Sequence, residues 1–266
     1  MRKILFAQAA VLAVTLAGPA FAADLPLKSA VPYVPPRFSW TGCYLGGHIG
    51  GGRATKDMTD PVFLVQENLI APGTTTGVNT ATTSPTGVVI GGEIGCDYQF
   101  ASNVVIGIEG TASGSTMKGT KLISLVDSPP DVALVQANTD FLVSVTGRIG
   151  YAFDNVLLYG RGGFAMAGDK YNVSGGSVAG NGTPFDFLGV ENRIGWVAGG
   201  GVDWAFSRNW SMNVEYDYYQ FGSKNVLMAE QVNGAAGILV SGLVDVRQNV
   251  QVVKVGFNFH IWGSGW

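Results

Sequence analysis

Thr86 to Phe100 reads TGVVIGGEIGCDYQF, and its alternation decides the fold. Val88, Ile90, Ile94, Cys96, Tyr98 and Phe100 share one parity, while Gly91, Glu93, Gly95, Asp97 and Gln99 hold the other. Period 2 of this kind marks a strand with one oily face and one polar face. Asp140 to Phe153 repeats it. Phe141, Val143, Val145, Ile149, Tyr151 and Phe153 alternate with Asp140, Ser144, Thr146, Arg148 and Gly150. In Trp210 to Tyr218, Trp210, Met212, Val214, Tyr216 and Tyr218 stand against Ser211, Asn213, Glu215 and Asp217.

Working outward, the same reading gives eight strands: 40–52, 86–100, 104–116, 139–153, 156–168, 193–206, 210–221 and 248–262. Each is long enough to cross a bilayer as a tilted strand, which takes ~9–11 residues. Three connections are minimal, Ala101-Ser102-Asn103, Asp154-Asn155 and Ser207-Arg208-Asn209. Each follows a Phe and contains Asn, which tolerates turn backbone. The other four, 53–85, 117–138, 169–192 and 222–247, are long and rich in Gly, Thr, Ser, Asn and Val. Short and long alternate strictly, so the short turns gather at one end of the sheet. The pattern predicts an all-β fold, an eight-stranded antiparallel up-and-down transmembrane β-barrel with short periplasmic turns and long extracellular loops. An exported soluble barrel would hide its oily parity inside. Aromatics at the strand ends, suited to an interfacial girdle, favour the membrane form.

Composition agrees. Of 266 residues only 13% are charged, 11% are aromatic and 39 are Gly. Disorder needs more charge and fewer aromatics. So many glycines disfavour helices, since each costs ~1 kcal/mol in a helix interior relative to Ala. Two Cys are too few for a disulfide scaffold. A formal charge of -3 gives no electrostatic reason to expect nucleic acid. Met1-Arg2-Lys3, the apolar run Ile4 to Leu16 and Ala20-Phe21-Ala22 form a secretory signal peptide over 1–22, cleaved after Ala22. Pro26, Pro32, Pro35 and Pro36 make 23–39 a periplasmic linker, leaving 40–266 as the barrel domain. No later apolar run is long enough for a transmembrane helix.

The inward parity carries Glu93, Asp97, Glu109, Asp203, Glu215 and Asp217 against Arg148, Arg161 and Lys254. Isolated charges in a low-dielectric interior are expensive, so these should pair or meet water. An interior of eight strands is just wide enough for side chains to fill. The reading is therefore a salt-bridged plug, with a mildly cation-preferring ion path as the alternative. Frequent glycines on that parity make room for large charged side chains. His48 and His260, the only histidines, lie on the inward parity without convergent metal or catalytic partners in sequence. No histidine lies in a long loop, where a lipid-modifying enzyme would need one. No catalytic, cofactor or metal site is assigned. Cys43 and Cys96 fall on the outward parity at similar distances from the short-turn end of consecutive strands. They are either two small lipid-facing hydrophobes or a disulfide permitted by the oxidising periplasm.

Phe38-Ser39-Trp40-Thr41-Gly42-Cys43-Tyr44-Leu45-Gly46-Gly47 resembles a known family, and three more stretches share the likeness. These are Gly147 to Ala152, Gly195 to Val202 and Val253 to Phe259. The family is the small outer-membrane β-barrel proteins of Gram-negative bacteria, of the outer-membrane immunogenic and opacity type, called porin family proteins. The resemblance implies an eight-stranded barrel with surface loops in the cell outer membrane and no catalytic residues to carry over. The expected function is structural, in envelope integrity and surface exposure. The alternatives are a small pore for ions or solutes and an adhesive or ligand-binding surface protein acting through the loops. Expected partners are outer-membrane lipid and lipopolysaccharide, with the barrel-assembly machinery during insertion.

Overall fold

The computed structural model describes residues 38–59, 80–124, 132–176, 185–230 and 241–262. The signal peptide and nearly all of the linker read from the sequence lie outside these residues. The strands are β1 (Gly42–Thr59), β2 (Thr80–Thr83), β3 (Thr86–Gln99), β4 (Val104–Ser124), β5 (Val132–Phe153), β6 (Val156–Gly176), β7 (Phe185–Ala205), β8 (Trp210–Glu230) and β9 (Ser241–Trp262). All neighbours are antiparallel, and β9 pairs back onto β1 to close the ring. Short β2 is the upward continuation of β3. Lys56 pairs with Thr83 and Arg53 with Thr86 in one unbroken register. Pro85 has no N–H to give the ladder and divides the two. Its carbonyl still accepts from Ala54 N at 2.8 Å. The ring thus has eight staves.

The short turns fall where the sequence placed them. Asn103 and Asp154 take positive φ, 64° and 53°, which Asn and Asp tolerate better than other side-chain-bearing residues. Asn155 and Asn209 also tie each turn to the next stave. The Asn155 carbonyl accepts from Ala205 N at 2.8 Å while its Nδ2 donates to Ala205 O at 3.2 Å. Asn209 does the same with His260, at 2.8 and 3.0 Å.

The staves are longer than the sequence reading had them. Much of 53–85, 117–138, 169–192 and 222–247 is strand rather than loop. Strand 1 also starts later than expected: Trp40 precedes it and turns under the barrel, 1% exposed. The reason lies in what surrounds each height of the wall. In the lower part, oily residues face out. Leu45, Ile94, Ile108, Ile149, Phe164, Ile194, Val255 and Phe257 are exposed. Higher up the phase inverts: Ala133, Val135, Ala137, Val226, Met228, Val244 and Val246 are buried inside, whereas Gln136, Lys170, Asp245 and Arg247 face outward. A wall in lipid shows its oily face outward, and a wall in water hides it. The upper staves therefore form a crown standing in water on the extracellular side. At the changeover the ladders shift register, at Gly114/Met117, Thr139/Phe141 and Gln220/Gly222. In β5, between Thr139 and Leu142, and in β8, between Phe221 and Val226, the extra residue of a β-bulge turns the strand's faces over, whereas β1, β4, β6, β7 and β9 keep one inward parity along their length.

One expected inward residue is corrected by such a shift. Asp140 lies at the bulge and points out, where it meets Lys170 Nζ at 2.7 Å. Aromatics ring the lower band. Tyr98 with Phe100, Tyr151 with Phe153, Trp204 with Phe206 and Trp210 with Phe259 mark the periplasmic edge, with centroids 4.9 to 5.9 Å apart. Trp196 and Tyr218 stand at the upper edge. Among the described residues no helix is long and apolar enough to cross a membrane.

Candidate functional site: the charged interior

All nine charged residues read onto the inward parity point into the barrel and are buried. Glu109 is one centre. It accepts from Tyr44 Oη at 2.6 Å, Arg161 Nη1 at 2.6 Å and Arg148 Nη1 at 3.1 Å. Glu215 is the other, accepting from Tyr159 Oη at 2.7 Å, from Lys254 Nζ at 2.8 Å and from Arg161. Arg161 thus bridges the two carboxylates and also donates to Ser144 Oγ at 3.1 Å. Arg148 lies over the Tyr159 ring, 4.0 Å from its centroid, and faces Asp97 at 3.6 Å and Asp203 at 3.9 Å. Asp217 sits 3.4 Å from Lys254 and 3.6 Å from Arg161. Two arginines serve five of the six carboxylates because a guanidinium offers five donors in a planar fork.

Glu93 belongs to a separate arm. His48 Nδ1 lies 3.1 Å from it, Asn213 Nδ2 donates to it at 2.7 Å, and His48 Nε2 lies 2.7 Å from Ser113 Oγ. His260 meets Ser211 Oγ at 3.1 Å, among the rings of Phe38, Trp40 and Tyr44. Glycines do supply the room. A Cβ on Gly107 would come within 1.9 Å of Asp97 Oδ1, on Gly95 within 2.4 Å of Tyr44 Oη, and on Gly199 within 2.2 Å of Asp217 Oδ1.

Apolar layers lie on both sides of this network. Below it, Trp40, Val105, Ala152, Leu157, Tyr159 and Ala205 pack together. Trp40 is held by its backbone N on Gln99 Oε1 at 2.9 Å and its ring Nε1 on Asp154 O at 3.3 Å. Above it, Val89, Met117, Leu142, Val197, Phe221, Val250 and their neighbours make a second layer.

Sequence reasoning missed a further charged cluster, between that layer and the crown's own core. Lys56 Nζ lies 2.7 Å from Asp169 Oδ1 and donates to Asn138 O at 2.8 Å. Arg193 Nε sits 3.6 Å from Asp169 and its Nη1 donates to Val246 O at 2.6 Å. Gln248 Nε2 donates to Asp169 at 3.2 Å. Lys56 and Asp169 lay in segments read as loops. The available signal was Ala54-x-Lys56-x-Met58, an inward parity carrying one charge between small and oily residues.

Cys43 and Cys96, direct register partners on β1 and β3, are joined by a disulfide on the outer wall near the periplasmic end. Among the described residues no group of three metal-ligating side chains converges.

With this geometry established, likeness to known proteins is informative. Residues 9–259 match the family model described as outer membrane protein beta-barrel domain. The 31 kDa outer-membrane immunogenic protein of Brucella melitensis is 26% identical over 265 residues, covering 97% of this chain and 99% of that one. The 25 kDa outer-membrane immunogenic protein of Brucella abortus is 28% identical over 244 residues, covering 90% and 91%. Among solved structures, the outer membrane protease OmpT of Escherichia coli aligns with a TM-score of 0.49 at 8% identity, covering 83% of this chain and 97% of that one. The chain belongs to the outer membrane protein beta-barrel family and is an outer-membrane protein of the Gram-negative type.

Proposed function

We propose that the protein is a closed, non-enzymatic barrel that contributes to envelope integrity through its wall and presents polar loops at the cell surface. The interior packing carries this reading. A path along the axis would have to cross an apolar layer at Trp40, the ion-paired layer at Glu109 and Glu215, and a second apolar layer at Met117 and Phe221. The names of the Brucella relatives, outer-membrane immunogenic proteins, support surface exposure. Planar-bilayer recording of refolded protein tests the closed state, and the expected result is a silent membrane. Discrete single-channel steps would favour a small pore instead.

One arrangement favours an enzyme as a second reading. Ser113, His48 and Glu93 form a hydroxyl–imidazole–carboxylate relay, with contacts of 2.7 and 3.1 Å. This is the order of groups used in serine acyl transfer. Against it, the His48 and Glu93 side chains are 0% and 1% exposed, and the apolar layer of Val89 and Met117 lies above them. A fluorophosphonate probe should leave Ser113 unlabelled in folded protein. Covalent capture at Ser113, abolished by His48→Ala, would establish the hydrolase reading.

A further inference from the structure

The outer wall carries a groove at the upper edge of the lipid band. It has a volume of about 380 Å³ and is lined by Gly51, Gly52, Arg53, Thr86, Gly87, Tyr216, Gln251 and Val253. Its origin is a missing side chain. Gly51 faces out between Val253 on β9 and Val88 on β3, and a Cβ built on it meets nothing within 4 Å. Tyr216 walls one side, with its hydroxyl donating to Gln251 Oε1 at 3.3 Å. Arg53, one outward position higher on β1, roofs the groove.

Register places a cationic row at that height. Gln251, Arg53, Thr86, Lys118, Asn138 and Lys170 are successive partners across β9, β1, β3, β4, β5 and β6. Lys170 is engaged by Asp140. Among the described residues neither Arg53 nor Lys118 has a carboxylate within ion-pairing distance. They stand two staves apart, roughly 10 Å at the usual strand spacing. Two cations with no carboxylate partner among the described residues, above a slot floored by glycine backbone and walled by Tyr216 and Val253 at the boundary where the wall leaves lipid, are complementary to an amphiphile with phosphates at one end and acyl chains at the other.

We propose that this face binds a bisphosphorylated glycolipid of the outer leaflet. Arg53 and Lys118 take its phosphates, Thr86 offers a hydroxyl between them, and one acyl chain lies in the groove over Gly51. The site depends on the outer-membrane placement of the chain and not on whether the barrel conducts.

The test uses the refolded full mature chain in detergent and measures retention of bisphosphorylated lipid A by native mass spectrometry. Dephosphorylated lipid A and phosphatidylglycerol serve as competitors. Wild type should prefer the bisphosphorylated lipid over both. Arg53→Gln with Lys118→Gln should weaken it by about tenfold or more. Gly51→Leu, which fills the groove, should weaken phosphorylated and dephosphorylated lipid A alike. Arg208→Ala, at the opposite end of the barrel, should change nothing. All four substitutions face outward or lie in a turn, and a retained gel-mobility shift on heating reports that each variant is folded. Retention unchanged in the double variant, or no preference for the phosphates, overturns the assignment. Phosphatidylglycerol held as tightly as lipid A refutes the choice of glycolipid.

Discussion

Arg161 on β6 reaches across the barrel to Glu109 on β4, with Nη1 2.6 Å from Oε1, and the same nitrogen also bonds Glu215 on β8. One side chain thus links three staves that are not adjacent in the ring. Removing it leaves two buried carboxylates short of a partner, and an uncompensated buried charge costs far more than the pair contributes. Arg161→Ala should lower unfolding stability by about 3–5 kcal/mol, read as the urea midpoint in detergent. Lys170→Ala breaks a pair whose side chains are 59% and 40% exposed, so its cost should stay below about 1 kcal/mol. Equal midpoints for the two variants would contradict the packed interior.

The Cys43–Cys96 bridge closes a loop of sequence separation 53. Thiol titration of denatured, unreduced protein should find no reactive cysteine. In the chain-entropy account, a loop of this size makes the bridge worth about 4 kcal/mol. Reduction should therefore bring unfolding to lower denaturant without changing the β-sheet circular dichroism of the folded state. Two free thiols would eliminate the bond.

The change of surroundings from lipid band to crown makes a sharper demand. Ile149 and Leu122 are almost equally exposed, 63% and 61%, but Ile149 lies in the lipid band and Leu122 in the crown. Ile149→Lys should cost about 2–4 kcal/mol, while Leu122→Lys should cost about 0–1 kcal/mol. Reversible folding into lipid vesicles measures both. Similar losses would mean that the band has been placed at the wrong height.

Orientation is checked on intact cells. In a Cys43→Ser, Cys96→Ser background, cysteines at Thr75, Gly180 and Ala235, which lie outside the described residues, should react with an impermeant maleimide. Cysteines at Ser102 and Asn155, in the short turns, should not. The reverse pattern would turn the barrel over.

The sequence revealed the lower half of this architecture in detail because lipid enforces a simple rule. Where the outside is oil, Ile94 must face it and Glu93 must not, and period 2 displays the difference. The same rule placed Glu109, Arg148, Arg161 and Glu215 inside, and the glycines beside them. In the crown the rule fails. Water wets the outside while small and oily residues pack inside, so Thr55, Lys56 and Asp57 in succession look like a polar loop although only Lys56 is buried. Bulges add to the difficulty, since one extra residue at Asp140 resets the parity with no compositional mark. Pairing between particular groups, such as Arg161 with both Glu109 and Glu215, was legible only as a requirement for neutralisation. Which carboxylate meets which guanidinium depends on distances across the barrel, which a strand-by-strand pattern does not contain.

The crown also has a mechanical meaning. Above Val253 β9 continues to Ser241, and at ~3.3 Å per residue with a tilt of ~40° that lifts its end by roughly 30 Å. Stacked backbone hydrogen bonds and a second interior core of its own, from Met58 to Val246, stiffen this upper cylinder. The upper cylinder thus carries its loops as a mast does. Its loops start from a fixed altitude and can be lengthened, shortened or exchanged while the strand ends beneath them stay clamped. Variation at the tip is mechanically insulated from anchorage in the bilayer.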